Sequence, residues 1–162
     1  MRSSPISTPE GVFVAGYSER GLARLEFPRS ARVTSHVQPK LPPLVRTWHR
    51  ATARAVNQLL AGRKLSALPP LDLTSGTPFQ QAVWRALRRI APGATQSYAG
   101  IARAVGSPGA ARAVGQACGA NPIPLLVPCH RVLASGGRLG GFSRGLAWKR
   151  KLLAREGRWP TP

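Results

Sequence analysis

The stretch SYAGIARAVGSPGAARAVGQACGA, residues 97–120, predicts two short helices separated by a tight turn. The joint is the tripeptide Ser107-Pro108-Gly109, in which glycine permits a backbone reversal that most residues resist. Such a pair fits a helix-turn-helix and, on spacing alone, an ordinary helical hairpin about equally well. Alanine and glycine dominate the second helix, so its backbone can approach a partner closely, and Arg112 projects from near its start.

The segments that follow this pair are predicted to be extended, then loop, then helix. Prolines in NPIPLLVPCHRVL, residues 121–133, exclude a continuous helix and predict a mostly extended run. The glycine-rich stretch ASGGRLGGFSRG, residues 134–145, predicts a loop. LAWKRKLLAREG, residues 146–157, predicts a final helix whose apolar stripe contains Leu146, Leu152 and Leu153.

A helix start signal precedes the pair in TPFQQAVWRALRRI, residues 77–90. Thr77 can accept a hydrogen bond from the amide three residues on while Gln80 reaches back, and Pro78 suits the first helical position. Trp84 lies beside the apolar face of this helix and is predicted to be in the core. That face consists of Phe79, Val83, Leu87 and Ile90.

The first half of the chain has a different pattern, with strands before a helix. VFVAGY (12–17) and GLARLEF (21–27) predict two strands around a polar turn. After a turn-rich connection, apolar residues at three- and four-residue steps predict a helix from Leu44 to Leu60, with Gly62 as its stop. Proline and glycine then place a boundary near Leu73 to Gly76, which predicts one domain at residues 1–75 and a second at 76–162.

The 162 residues carry a formal net charge of +19, which points to a polyanionic partner. Residues 1–75 hold 11 basic and 4 acidic side chains, whereas residues 76–162 hold 13 basic side chains and 1 acid, Glu156. This composition fits a ribosomal protein and a DNA-binding protein about equally well. No stretch approaches the roughly 20 apolar residues of a membrane span, and the N-terminus lacks the apolar core of a signal peptide. We therefore expect a cytoplasmic protein.

Cysteine and histidine are too sparse to predict a disulfide framework or a metal site. The chain holds two cysteines, Cys118 and Cys129, and three histidines, His36, His49 and His130, with no CxxC spacing. We therefore expect no metal and no cofactor.

The dipeptide Cys129-His130 raises the question of whether the thiol is an activated nucleophile. A thiol is mostly protonated at neutral pH, and a nearby base or cation activates it. His130 is the candidate base, but neighbours on an extended strand point to opposite faces, so a bridging water or a local bend is required. Glu156 is the one carboxylate in this half that can orient the imidazole, and Asn121 can fix the loop. The alternative is a buried structural cysteine, which is our interpretation of Cys118.

Four segments in order closely resemble the O6-alkylguanine-DNA alkyltransferases, also called methylated-DNA–protein-cysteine methyltransferases: TPFQQAVW, SYAGIARAVGSPGAARAVGQACGANPIP, VPCHRV and LLAREG. The resemblance covers roughly residues 77–157. It implies an α+β fold in which a small N-terminal domain of sheet and helix precedes a mostly helical, winged helix-turn-helix-like DNA-binding domain.

The resemblance also implies a role for each residue of a catalytic site. Cys129 would be the alkyl acceptor, His130 would take its proton through a water, and Glu156 would hold His130. Asn121 would support the cysteine turn. Tyr98 would help to rotate the damaged nucleotide out of the duplex and would protonate the departing guanine.

Further residues are implied to bind DNA and the lesion. Arg112 would fill the space left by the flipped base, and the second helix would lie in the minor groove. The implied DNA-binding set is Tyr98, Ser107, Arg112, Ala113 and Ser135. The implied lesion-pocket set is Pro128, Val132 and Ser143. Phe142 and Arg144 depart from the family pattern, in which tyrosine is common at the first position and the second can be glycine.

We therefore predict direct DNA repair by irreversible, single-turnover transfer of an alkyl group from O6-alkylguanine to Cys129, with O4-alkylthymine as a second candidate lesion. The expected partner is double-stranded DNA, and we expect a nucleoid-associated monomer with no obligate protein partner and no membrane contact. One alternative is a lesion sensor without transfer activity, but such sensors lack the acceptor cysteine. Another is a DNA-binding regulator that reads the major groove.

Overall fold

A computed structural model of the chain describes residues 1–28 and 40–159. The chain divides into two compact units, Met1–Leu73 and Thr74–Pro162. Most of the predicted turn-rich connection before the first helix, and His36 within it, lie outside the described residues.

The N-terminal unit is built on a three-stranded antiparallel sheet in the order β1-β2-β3: Arg2–Thr8, Gly11–Tyr17 and Leu22–Glu26. The two predicted strands are confirmed as β2 and β3, whereas β1 has no counterpart in the sequence-based prediction. Its sequence, RSSPIST, holds a single large apolar residue, Ile6. Pro5 pairs with Val14 on this edge strand, where a missing amide donor is tolerated.

Helix α1, Pro43–Leu60, packs against β1 and β2 and confirms the predicted helix. Because strand side chains alternate between faces, β2 buries Phe13, Ala15 and Tyr17. The Tyr17 hydroxyl lies 3.0 Å from Nδ1 of His49, so a polar contact also joins the sheet to the helix. This small core gives the N-terminal unit its own hydrophobic centre.

The described part of the C-terminal unit, residues 74–159, contains four α-helices and two strands of two residues each. In chain order they are α2 (Pro78–Leu87), β4 (Gln96–Ser97), α3 (Tyr98–Ala104), α4 (Ala111–Gly119), β5 (Val132–Leu133) and α5 (Leu146–Arg155). The predicted α+β fold is confirmed.

Helix α2 begins with the predicted capping box. The Gln80 amide donates to Thr77 Oγ1 at 3.3 Å, and the Thr77 amide donates to Gln80 Oε1 at 2.9 Å. Trp84 is 1% exposed, as expected of a core residue, and its Nε1 donates to the Ala117 carbonyl at 2.8 Å. This bond ties α2 to α4.

Helices α3 and α4 form the predicted helix-turn-helix, and both pack against α2. Ser97 caps α3, because its Oγ accepts from the Gly100 amide at 2.9 Å. In the turn, Gly106 and Gly109 have φ angles of 74° and 90°, where residues with a Cβ are strained. The two glycines therefore fix where α3 ends and how α4 begins.

The prediction of an extended run through residues 121–133 is wrong at residues 129–131. Cys129–Arg131 form one turn of 3₁₀ helix, closed by the Arg131 amide on the Pro128 carbonyl at 3.0 Å. Extended pairing begins only at β5, which runs parallel to β4. Prolines exclude an α-helix but permit turns, so the bend that a Cys–His pair requires comes from the backbone itself.

Helix α5 packs against this 3₁₀ turn and buries Lys149, Leu152 and Leu153. Leu146 is 40% exposed, so its predicted place on the apolar stripe is wrong, because it is the first residue of the helix and remains at the surface. Within the described ranges, every helix is too short or too polar to cross a bilayer.

Candidate active site

A cavity of about 950 Å³ in the C-terminal unit brings together residues from α3, α4 and the glycine-rich loop. Ala111, Gly115 and Gly119 line it at four-residue steps, so α4 presents a face with little side-chain bulk. Among the predicted site residues, five line this cavity: Tyr98, Arg112, Cys129, Ser135 and Ser143.

Cys129 is the first residue of the 3₁₀ turn and is 3% exposed at the cavity wall. Asn121 fixes the segment that carries it, since Asn121 Nδ2 donates to the Val127 carbonyl at 2.8 Å and Oδ1 accepts from the Ile123 amide at 3.0 Å. The same Nδ2 also lies 3.2 Å from Cys129 Sγ. Because an N–H donor favours a charged sulfur over a neutral one, this contact supports the thiolate.

His130 is fully buried, and its Nε2 lies 3.0 Å from Glu156 Oε1. Burial lowers the pKa of His130 below its usual value, and Glu156 only partly opposes that effect. The imidazole is therefore neutral at pH 7, with its Nε2–H donating to the carboxylate. Nδ1 is buried and makes no hydrogen bond to the described residues, so its lone pair is available to accept a proton.

Arg131 is the second partner of Glu156 and was not among the predicted site residues. Its Nε and a terminal nitrogen contact the carboxylate at 2.9–3.2 Å, and its other terminal nitrogen donates to the Ile90 carbonyl at 2.6 Å. Burial raises the pKa of Glu156, but hydrogen bonds with His130 and Arg131 outweigh it and lower the pKa to about 2. Glu156 is thus a permanent anion at neutral pH.

Lys149 is also absent from the predicted set, although it is fully buried on α5. Its Nζ donates to the Val132 carbonyl at 2.6 Å and to the Gly141 carbonyl at 3.1 Å. The ammonium therefore joins β5 to the glycine-rich loop that lines the cavity. The sequence did contain a signal, because Lys149 lies three residues before Leu152 and so shares its buried face.

The thiols and the phenol in this region are held in their protonated forms at rest. Burial raises the pKa of Cys129, against the opposing effects of the Asn121 hydrogen bond and the nearby Lys149 and Arg144 charges. Burial, with the two cysteines nearby, likewise raises the pKa of Tyr98 to about 12. A reaction at the sulfur therefore requires a base, and the Tyr98 phenol retains its proton at neutral pH.

The other predicted residues lie around this centre. Pro128 and Val132 are buried in the segment that carries the cysteine, and neither is among the described residues that line the cavity. Ser107 lies in the turn of the helix-turn-helix, and Ala113 is half-buried on α4.

Cys118 does line the cavity, which the sequence did not predict, and burial raises its pKa to about 12. In residues 1–28 and 40–159, no group of three or more potential ligands is placed to hold a metal ion.

Replacing Lys149 by methionine is expected to raise the pKa of Cys129 further, because the positive charge that lowers this pKa most is lost. In a Cys118→Ser background, the pH dependence of Cys129 reaction with iodoacetamide should move to higher pH. Lys151→Met serves as the control, because it removes the same charge from the same helix at a residue that contacts the Trp148 ring and is not among the charges that shift the pKa of Cys129. An unchanged profile for Lys149→Met would contradict the electrostatic role.

The fold and the site together define a DNA-binding helix-turn-helix unit with a buried thiol in its cavity and a neutral histidine–carboxylate pair behind it. Comparison of the sequence with known protein families agrees with this description. Residues 78–158 match the family described as "6-O-methylguanine DNA methyltransferase, DNA binding domain". The chain belongs to this family.

Similarity to individual relatives extends beyond that domain. The chain is 52% identical over 112 residues to the methylated-DNA–protein-cysteine methyltransferase of Mycolicibacterium paratuberculosis, covering 67% of each chain. It is 54% identical over 84 residues to that of Salmonella typhimurium, covering 52% of this chain and 49% of the relative. The crystal structure of Mycobacterium tuberculosis OGT in complex with DNA superposes with a TM-score of 0.80 at 37% identity, covering 99% of this chain and 96% of that one.

Proposed function

We propose that the protein repairs O6-alkylguanine in double-stranded DNA by transferring the alkyl group irreversibly to Cys129 Sγ. The observation that carries the proposal is the set of polar side chains around the Cys129 sulfur and the neighbouring His130. Asn121 lies 3.2 Å from the sulfur, and His130, the next residue after the cysteine, lies 3.0 Å from Glu156. This set can remove a proton from the thiol and stabilise the resulting thiolate.

The proposed reaction is a displacement at the alkyl carbon. His130 accepts the thiol proton through a bridging water at Nδ1, and Glu156 stabilises the imidazolium that results. The sulfur lone pair forms the S–C bond as the C–O6 bond breaks, and the electron pair leaves with guanine. Tyr98, which is protonated before reaction because its pKa is raised to about 12, donates a proton to the departing base, and the proton taken up by His130 then restores the phenol through solvent.

The product is a thioether, and this dictates a single turnover. A thioether carbon–sulfur bond has no easy route back to a thiol in this site, so each molecule reacts once. A lesion sensor or a DNA-binding regulator would require no activated thiol. Cys129, however, lies at the cavity wall, and Asn121 Nδ2 donates a hydrogen bond to its sulfur.

The target base is proposed to leave the duplex before it reaches the sulfur. A stacked base cannot reach a thiol at the wall of a cavity, so the nucleotide is extruded at a cost of a few kcal/mol. Arg112, exposed at the start of α4, inserts where the base was and offsets part of that cost. The small-residue face of α4 then allows close approach to the minor groove.

The DNA product provides the direct test of this function. A duplex that contains one O6-methylguanine is incubated with increasing amounts of protein, and its nucleosides are then quantified. We expect guanine to replace O6-methylguanine up to one lesion per protein molecule and no further. Removal of the modified base with an abasic product, or turnover beyond one lesion per chain, would contradict the proposal.

Arg112→Ala is expected to slow repair of the duplex far more than reaction with free O6-methylguanine base. The reason is that only the duplex requires a side chain to occupy the space of the extruded base. Arg103→Ala is the matched control, because Arg103 is exposed on α3 and does not line the cavity. Equal losses of Arg112→Ala on both substrates would count against the insertion role.

A further inference from the structure

Helix α1 of the N-terminal unit carries a stripe of three arginines, Arg46, Arg50 and Arg54. They recur at four-residue steps and so share one face, and all three are exposed. The helix contains no aspartate or glutamate, and none of the three arginines forms an ion pair with any described residue. Like charges at this spacing destabilise a helix, so the stripe is not explained by the stability of α1.

The same helix face opens into a groove of about 760 Å³. Arg46, Arg50 and Lys40 line it, together with the polar residues Ser4, Thr47 and His49. Among the described residues that line the groove, none is acidic. The acids of this unit lie elsewhere, Glu10 between β1 and β2, Glu19 in the following turn, Glu26 on β3 and Asp72 near the end of the unit.

A groove lined by guanidinium and ammonium groups, with hydroxyls beside them, has the chemistry of a phosphate site. Arginine donates two parallel N–H bonds to a phosphate, and the four-residue step advances about 6 Å along the helix. The stripe therefore spans about 12 Å, long enough to contact more than one phosphate of a duplex that carries a charge every 1.7 Å or so of axis.

We infer that the groove and the arginine stripe form a second phosphate-binding surface, with the DNA backbone as its partner. This surface belongs to the N-terminal unit and lies outside residues 78–158, the part that matches the family's DNA-binding domain. DNA is the partner that fits, because the chain carries +19 overall and its other unit is a DNA-binding domain. The inference rests on the proposed DNA binding but does not require alkyl transfer.

The test measures binding of the full chain to an undamaged fluorescent duplex as a function of salt. Arg46→Gln/Arg50→Gln removes two charges from the groove. Arg63→Gln/Lys64→Gln is the matched control, because it removes the same charge from exposed residues of the same unit, outside the groove. Losing two phosphate contacts should make the slope of log K against log salt shallower by about 1.8, and the control should change it by less than about 0.5.

Each outcome decides a separate point. Equal changes in both double variants would overturn the inference, because they would indicate a diffuse effect of net charge. No change in the groove variant, while the unaltered chain binds DNA with a steep salt dependence, would also overturn it and would leave the proposed function intact. Arg46→Lys/Arg50→Lys should retain the slope, and thermal melting of each variant should show that it is folded.

Discussion

Glu156→Gln is expected to destabilise the protein by about 3 kcal/mol at pH 7, because the buried guanidinium of Arg131 loses its counter-charge. The side chains of Arg131 and Glu156 are 6% and 9% exposed, so water cannot replace the lost interaction. Glu26→Gln provides the control. Glu26 pairs with Arg24 at 3.0 Å, but those side chains are 26% and 53% exposed, and a surface pair contributes about 1 kcal/mol or less.

Glu156→Gln should also change how the free energy of unfolding depends on pH. The pKa of Glu156 is about 2, below its usual value of 4.5, so its contribution is complete above pH 4.5 and is lost as the pH falls toward 2. The unaltered protein should therefore lose stability over this range, whereas Glu156→Gln should lose less. Urea unfolding between pH 3 and 7 measures both curves, and parallel curves would contradict the assignment of a paired anion.

Cys129→Ser is expected to abolish transfer of a labelled methyl group from duplex DNA to the protein. A hydroxyl ionises far less readily than a thiol, and removing a nucleophile typically lowers the rate by a factor on the order of 10⁴ or more. The substitution preserves the size of the side chain and a group that can accept from Asn121, so DNA affinity should be retained.

Cys118→Ser is the matched control for that experiment. Cys118 lines the same cavity, but no histidine or carboxylate of the described residues hydrogen-bonds to it, and burial raises its pKa to about 12. We expect this variant to transfer the label at nearly the rate of the unaltered chain. Label that persists in Cys129→Ser and disappears in Cys118→Ser would move the acceptor to position 118.

Local signals in the sequence were sufficient to predict the two helices, the turn between them and the helix that supports them, whereas the choice of a helix-turn-helix over a helical hairpin came from the family resemblance. The Thr77–Gln80 capping box and the glycines around Ser107 act over three or four residues, so no tertiary information was needed. Edge strand β1 was missed because its stability comes from pairing with β2 rather than from apolar alternation in RSSPIST.

The centre of the site was harder to predict because it depends on contacts between distant segments. Glu156 could be paired with His130 by elimination, since it is the single acid in residues 76–162. Arg131 and Lys149 could not be assigned in this way among 13 basic side chains. Their importance lies in burial and in carbonyl partners such as those of Ile90 and Val132, which the fold creates.

The most direct test of the central claim is the mass of the intact protein before and after exposure to a duplex containing O6-methylguanine. We predict a gain of one methyl group per chain, located on the peptide that contains Cys129, and no further gain with excess DNA. An unchanged mass despite loss of the lesion, or a methyl group on any other residue, would contradict it.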